Sequence, residues 1–537
     1  ILYALLAAVA ALLLIACSNV ANMLLARATV REKEMALRAS LGASQGRLLR
    51  QLLVESLVLA AAGGLLGCLF AYWGIQLVAA TIPPMLPGEA ALELNRPVLL
   101  FALGITALTI VGCGLAPAIH SMRSNLSLRL AGSGKGATGG FRHGKLRAAL
   151  VVLEVSLSVV LLIGTGLMIR TLYALTHVSL GFDASNVLAA SVTLPKDSYT
   201  TVPEKKAFFQ QALARVAALP GVISAAETIS LPPYNAGRSE VTVPGTTHFE
   251  AWNTLFDVCS EDYFKTLHIP LLRGRLLSRA DVDSGRFVAV VNQTFAHDYL
   301  GDDPIGRKFK INAFDKIAQT PHDAYFEVVG IVPDIKNQGL RDAPMPQAYI
   351  PYTITAYANR AILVKTGISS LSLLKNVQEQ IWAVDRNVAI GNAGTLDSYL
   401  ERFSYAEPKF GLVSIGAFAA IGLLLAAIGV FSVMAYAVSR QTHDIGVRMA
   451  LGAQASDILR MVLGKGLALV ILGSAAGVAI SFVATRILSS QLWGVSPSDP
   501  LTFSIVILVV IVVGAAASFL PARRATRVDP LIALREE

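Results

Sequence analysis

Two acids, two arginines and two Leu-Gly-Ala turns recur in this chain at one offset. Glu34 and Arg38 lie four residues apart, with Leu41-Gly42-Ala43 close behind. Asp444, Arg448 and Leu451-Gly452-Ala453 repeat those types at that spacing, 410 residues later, and Arg50 is answered by Arg460. An acid and an arginine at i,i+4 make a favourable pair on a helix surface, and Gly is the low-cost way to end such a helix. A register held over so long a separation is internal duplication, which has to be recognised before the fold can be read. The register continues into the next segment, where Gly63 and Gly67 fall on Gly473 and Gly477. One G-x-x-x-G is weak evidence, but an aligned pair points to a helix-packing face.

Other candidate chemistry falls away on inspection. Gly139-x4-Gly144-Lys145 has the outline of a phosphate-binding loop, but Leu146 stands where Ser or Thr would hold magnesium and no apolar strand precedes it. Gly42-Ala43-Ser44-Gln45-Gly46 fits G-x-S-x-G, yet it follows a helical segment where a nucleophile elbow requires a strand. His177, His248, His268, His297 and His322 are scattered, without metal-ligand spacing. Asp302-Asp303-Pro304-Ile305-Gly306 lacks the spaced oxygen ligands of a calcium loop. The reading is therefore a protein that is not an enzyme and that carries no metal or cofactor.

The elements that must position these residues are membrane spans. Hydrophobic residues make up 54% of the chain and charged residues 15%, and the mean hydropathy is +0.58. Uncharged apolar runs occupy 1–26, 57–80, 98–119, 410–438, 466–485 and 501–520, and 148–169 is interrupted by Glu154 alone. Runs of this length read as transmembrane helices, so seven are expected. An acid inside a span is a functional candidate by default, which singles out Glu154; its position about two turns from the cytoplasmic end also fits a structural role. Span 98–119 ends in Ala116-Pro117-Ala118, and its counterpart ends in Leu520-Pro521-Ala522.

Charge sets the orientation. Region 171–408 holds 21 Lys and Arg against 24 Asp and Glu, a balance of −3, while the whole chain is +9; the remainder is therefore +12. Those cations crowd into loop 27–50, segment 123–147, loop 439–462 and the tail after Arg523. The positive-inside rule puts these on the cytoplasmic side and 171–408 outside. Membrane orientation thus accounts for the basic balance, and no nucleic-acid partner is implied. Segment 27–50 carries Met35, Leu37, Leu41, Leu48 and Leu49 among charges, the pattern of a short helix lying on the membrane face. Residues 131–147, rich in Gly and Ser, read as a flexible linker.

Region 171–408 reads as a folded domain with Cys259 as its single cysteine, so no disulfide can form within it. Strand 186–194, helix 204–218 and strand 222–231 form one β-α-β unit; strand 360–365, helix 371–384 and strand 388–392 form a second. The insertion 237–355 between them is richer in strands and turns. Helix 395–403 leads straight into span 410–438. The fold class is then an α+β membrane protein: seven transmembrane helices in two repeats plus an extracytoplasmic α/β domain. The expected segments are 1–130 (first repeat), 131–147 (linker), 148–170 (a span), 171–408 (outer domain) and 409–537 (second repeat).

The Glu34/Arg38/Leu41-Gly42-Ala43 set and its copy at Asp444/Arg448/Leu451-Gly452-Ala453 resemble the cytoplasmic loop of FtsX/MacB-type ABC permeases. Leu188–Pro195, Val288–Asn292, Asp303-Pro304-Ile305-Gly306 and Tyr349-Ile350-Pro351 resemble the extracytoplasmic core domain of the same family. Family members have one span, the outer domain and then three spans. This chain resembles the duplicated permeases of acidobacteria, reading as the last three spans of one copy followed by a full copy. Because it opens at Ile1 inside an apolar run, a leading span and a first outer domain are expected upstream. The resemblance implies a multi-pass protein of the inner membrane with 171–408 periplasmic. Its partners would be the bilayer, a separate ATPase docking on the two loops, and a periplasmic adaptor or outer-membrane component. A membrane scaffold that regulates a cell-wall hydrolase or senses a ligand is the alternative function.

The topology is directly testable. In a chain with its native cysteines replaced, Ser44→Cys and Ser456→Cys are expected to react with an impermeant maleimide only after the membrane is disrupted. Thr200→Cys is expected to react in intact spheroplasts. Labelling of Ser456→Cys in sealed spheroplasts would reverse the orientation.

Overall fold

The computed structural model describes residues 2–40, 54, 58, 61–76, 95–110, 138–234, 236–246, 251–317, 320, 322–355 and 357–527. Side chains are described for 2–23 of the first helix, 96–106 of the third and from 144 onward in the fourth. The longer helices in chain order are α1 Leu2–Ser40, α2 Ala61–Gln76, α3 Arg96–Ile110, α4 Thr138–Thr176, α5 Val202–Ala217, α6 Ser370–Trp382, α7 Ala406–Arg440, α8 Thr442–Ala450, α9 Ala455–Leu488 and α10 Pro500–Ala525. The chain divides into two compact units, one made of 1–174 with 407–537 and the other of Leu175–Ala406.

Among the described residues, five helical stretches are long and apolar enough to cross a bilayer: Leu2–Met23, Gly144–Thr176, Leu396–Arg440, Ala455–Arg486 and Pro500–Ala525. The expected spans 57–80 and 98–119 are represented by the shorter apolar helices Ala61–Gln76 and Arg96–Thr106; residues 77–80 and 111–119 lie outside the described residues. The seven-span expectation thus stands at five spans and two shorter apolar helices. α4 is the centre of packing. Val151, Val155, Val159, Ile163 and Leu167, each four residues from the next, form one buried ridge. Against it lie Ala426, Val430 and Met434 of α7, Val462 and Val470 of α9, and Phe503, Val506 and Val510 of α10. Ala8 and Ile15 of α1 meet Leu161 of α4 and Ala419 of α7 in a smaller cluster. The helix of α4 already begins at Thr138, inside the expected linker 131–147. Extending an existing helix adds a hydrogen bond for each residue fixed, which outweighs the composition of that stretch.

The outer unit is built on eleven strands: β1 Val187–Thr193, β2 Val222–Thr228, β3 Gly237–Thr242, β4 Asn253–Cys259, β5 Arg273–Gly274, β6 Val288–Asn292, β7 Lys308–Ile311, β8 Tyr325–Val332, β9 Gln347–Pro351, β10 Asn359–Thr366 and β11 Ala389–Thr395. The two β-α-β units do not stand side by side. Strand β10 pairs antiparallel with both β1 and β2, and β1 pairs antiparallel with β11, giving the order β11-β1-β10-β2. Each unit is therefore split, with a strand of the other inserted between its own two. The insertion closes on itself: β4-β3-β7-β8-β6-β9 is a chain of pairings that returns from β9 to β4. This closed six-stranded ring leaves no long free edge. It joins the first four strands through one residue pair, Thr228 with Cys259.

Local sequence explains the helices that cover the sheet. Thr201 caps α5, accepting from the Glu204 backbone N–H while the Glu204 carboxylate accepts from the Thr201 N–H. Phe208, Phe209, Ala212 and Val216 then face the sheet with Leu373, Val377 and Ile381 of α6. Two acids are buried beneath these layers. Arg360, 1% exposed at its side chain, pairs with Glu227 and also donates to the carbonyls of Tyr357 and Thr355. Asp257 has no cation among the described residues; it accepts from Thr228 Oγ1 (2.7 Å) and Ser230 Oγ (2.6 Å).

Burial pushes the Asp257 carboxyl up to about 6 from its usual 3.8. The folded state therefore holds a proton that the unfolded chain gives up, so this contribution to stability is full below about pH 4. It falls between about 4 and 6 and is absent above. Relative to wild type, Asp257→Asn is expected to flatten the pH dependence of unfolding across that window by on the order of 3 kcal/mol. Thermal or denaturant melts of the two proteins at pH 4 and pH 7 measure the difference.

Candidate functional site

The second copy of the repeated motif forms a helical hairpin at the end of α7. That helix stops at Arg440, and Gln441 precedes the nine-residue α8. Asp444 lies in the first turn of α8 and Arg448 in the last, the placement that suits the helix dipole at each end. Ile445, 1% exposed, and Gly446 are buried, so one side of α8 joins the core that holds α4, α7, α9 and α10. His443, Asp444, Arg448 and Ala450 line the other side and are exposed.

The turn that follows requires glycine. Gly452 has φ +98°, a region that side-chain-bearing residues rarely adopt. With the chain so bent, the Gly452 N–H reaches Met449 O (3.1 Å) and the Ala453 N–H reaches Arg448 O (3.0 Å), closing the helix end. Leu451 is left 83% exposed at the tip. Gln454 then caps α9 in a reciprocal arrangement with Asp457. The i,i+4 partnership expected of Asp444 and Arg448 is absent: no ion pair joins them among the described residues. Instead Arg448 Nη1 contacts Met461 Sδ of α9 at 3.1 Å, and Lys465 Nζ donates to Gln441 Oε1 at 3.0 Å. Met461 and Lys465 tie the hairpin together, and sequence reasoning missed both because each lies a helix away from its partner.

The first copy differs. Its expected short surface helix over 27–50 is, through Ser40, a continuation of α1, which runs unbroken for 39 residues. Glu34 and Arg38 lie on that continuation, and their side chains are outside the described residues, as are Leu41, Gly42 and Ala43 altogether.

The paired glycines also part company. A Cβ on Gly473 would come within 2.6 Å of Val155 Cβ and 3.0 Å of Val152 O; one on Gly477 would come within 2.7 Å of Ser156 O. Gly473 and Gly477 therefore let α9 lie directly on α4. Among the described residues, Gly63 and Gly67 have nothing within 4 Å of where a Cβ would stand. Glu154 lies on α4 between Val151 and Val155, 0% exposed. Among the described residues no group of three His, Cys, Asp or Glu side chains could hold a metal ion.

The architecture has known counterparts. The family described as FtsX-like permease C-terminal matches this chain twice, over residues 6–126 and 416–530, and the MacB-like periplasmic core domain matches residues 148–384. The chain belongs to the FtsX/MacB type of permease. It is similar to the macrolide export ATP-binding/permease protein MacB of Hahella chejuensis, 28% identical over 299 residues that cover 53% of this chain and 44% of that one. The pyoverdine export ATP-binding/permease protein PvdT of Pseudomonas fluorescens is 27% identical over 287 residues, 50% of this chain and 40% of that one. The permease thus spans less than half the length of these relatives. The periplasmic region of MacB from Actinobacillus actinomycetemcomitans aligns with 41% of this chain and 93% of its own, at 17% identity and a TM-score of 0.29. With five membrane-competent helices and a periplasmic-type domain, this is a multi-pass membrane protein. The second FtsX-like match takes in the described hairpin at Asp444–Ala453.

The glycines give a paired expectation. Gly477→Leu should lower the unfolding stability of the intact permease in detergent by roughly 1–3 kcal/mol, the usual range for overpacking, whereas Gly67→Leu should leave it within about 0.5 kcal/mol. Thermal melts of both variants decide it, and equal effects would remove the asymmetry.

Proposed function

We propose that this permease couples a separate ABC ATPase, on the cytoplasmic side of the inner membrane, to movement of its periplasmic domain in export or extraction of a substrate. The observation that carries this reading is the hairpin at α8. Its exposed face presents Asp444, Arg448 and Leu451, while Ile445 roots it in the core of α4, α7, α9 and α10. A force on the exposed face therefore loads a stiff, close-packed body, and does not dissipate in a loop. The Gly452 turn keeps α8 distinct from α9, so an ATPase has a short handle to grip. Arg448 and Asp444, unpaired with one another, keep their charges for a partner. The related MacB and PvdT proteins are named as ATP-binding/permease proteins, which supports an ATPase as that partner. Glu34, Arg38, Leu41, Gly42 and Ala43 would form the matching handle of the first repeat. Under this reading the two handles meet the two halves of an ATPase dimer, and 131–147 spans the cytoplasmic side between the repeats. Domain 171–408 would act on its substrate outside, alone or with an adaptor or outer-membrane component.

The test uses the intact permease reconstituted with the ATP-binding protein that copurifies with it. Wild type is expected to change the hydrolysis rate several-fold. The double variant Asp444→Arg, Leu451→Asp should abolish that change while leaving the permease's own melting temperature within about 2 °C, as expected for exposed positions. An ATP-binding protein whose rate is the same with and without wild-type permease would refute the coupling.

A further inference from the structure

A polar seam runs between α1, α4 and α7, and the coupling reading makes no use of it. Ser18 Oγ of α1 donates to Leu150 O of α4 at 3.3 Å, and Asn19 Nδ2 donates to Leu425 O of α7 at 3.1 Å. Ser158 Oγ of α4 donates to Gly422 O of α7 at 2.9 Å. Glu154 stands in this seam, 0% exposed, with Ser18 and Asn19 beside it. Among the described residues neither of its carboxyl oxygens has a hydrogen-bond partner, and Asn22, one turn along α1 from Asn19, is buried with Nδ2 unpaired. The carboxyl fits because position 429 of α7 carries no side chain: a Cβ there would overlap Glu154 Oε2 and stand 3.3 Å from Asn19 Oδ1.

Among the described residues no charge compensates this acid. α1 has no charged residue from Leu2 to Met23, nor has α7 from Gly411 to Ala435, α9 from Leu467 to Thr485 or α10 from Leu501 to Leu520. The titratable groups nearest in register are Cys17 on α1 and Tyr436 on α7. Arg147 lies seven residues back on α4, with its guanidinium 3.8 Å over the Tyr436 ring, and Arg440 is 5.9 Å from the same ring. An isolated carboxylate in such a place is far more costly than the neutral acid. Unpaired buried polar groups each cost about 1–3 kcal/mol, so a chain that keeps both oxygens of one carboxyl so placed in this seam has a use for them.

We infer that Glu154 is an intramembrane proton-binding site that joins the first repeat to the second. Its protonated carboxyl rests against Gly429 with its O–H turned toward Asn19 Oδ1. Release of the proton to water leaves a carboxylate that must be hydrated, and admitting that water means parting the described contacts of α1 and α7 with α4. The proton therefore acts as the ligand of a seam between repeats. This holds whether or not an ATPase drives the protein.

The experiment treats the intact permease in lipid nanodiscs with dicyclohexylcarbodiimide. That apolar reagent takes up a buried carboxylic acid by adding its O–H across a C=N bond, with no leaving group, and peptide mass spectrometry locates the adduct. Glu154 is expected to be modified, and modification should fall about tenfold per pH unit above its midpoint. Hydrogen–deuterium exchange around Gly429, divided by the intrinsic amide rate at each pH, should rise over the same pH range in wild type and stay flat in Glu154→Gln, which mimics the protonated acid. Absence of the adduct from well-folded wild type, or a rate independent of pH, would overturn the proposal. Protection by sodium ions would replace the proton with a metal cation and overturn it as well.

Discussion

The close contact of α9 with α4 is the constraint on which the membrane unit rests. In a bilayer, lipid tails are as apolar as the helices, so association depends on van der Waals contact and on interhelical hydrogen bonds. Gly473 and Gly477 bring α9 against the carbonyls of Val152 and Ser156. Ile445 of α8 enters the same core. Gly466 makes a comparable approach to Ser518 of α10, and Gly514 of α10 to Val470 of α9. With glycines on α9 facing α4 and on both α9 and α10 facing one another, the three helices pack as one close body, and α8 is rooted in it through Ile445.

Much of this was legible in the residues. The duplicated acid, arginine and Leu-Gly-Ala exposed the repeat, and the alternating and helical patterns marked each strand and helix of the two β-α-β units to within a few residues. Their interleaving was not legible. Which strand fills the gap between β1 and β2 is decided by long-range pairing, and no local pattern records that Lys365 of β10 stands opposite Val187 of β1 on one side and Ser224 of β2 on the other. Closure of the insertion escaped for the same reason, since β9 returns to β4 across almost a hundred residues. Over 138–147 the expected linker is helical, and over 27–40 the expected helix is continuous with α1, because composition was weighed without the adjoining helix.

Repetition in sequence did not bring equivalence in structure. The second copy breaks after Arg440 into a hairpin, whereas α1 continues through the corresponding stretch as far as Ser40. Gly473 and Gly477 have α4 beneath them, while Gly63 and Gly67 have no neighbour among the described residues within reach of a Cβ. Identical residues at identical spacing thus specify a packing face, and the helix that fills it has to be supplied by the rest of the fold. α4 serves the second copy in that role, and through Leu161 and Leu150 it also receives α1 of the first.

Two buried glutamates show how differently this chain treats the same side chain. In the outer domain Glu227 is met by Arg360, whose Nε and Nη2 also donate to two backbone carbonyls, so the charge is compensated and the geometry is held. Breaking such a pair on one side typically costs about 3–5 kcal/mol, because the other charge is stranded. Glu154 has no such arginine. The helices packed around it are uncharged through the buried stretch, and the nearest cation on its own helix is committed to the Tyr436 ring. A site intended only for stability would have used Gln, which fills the same volume without an ionisable group. Retaining the acid opposite a glycine, in a seam shared by both repeats, leaves the proton as the one variable by which that seam can change.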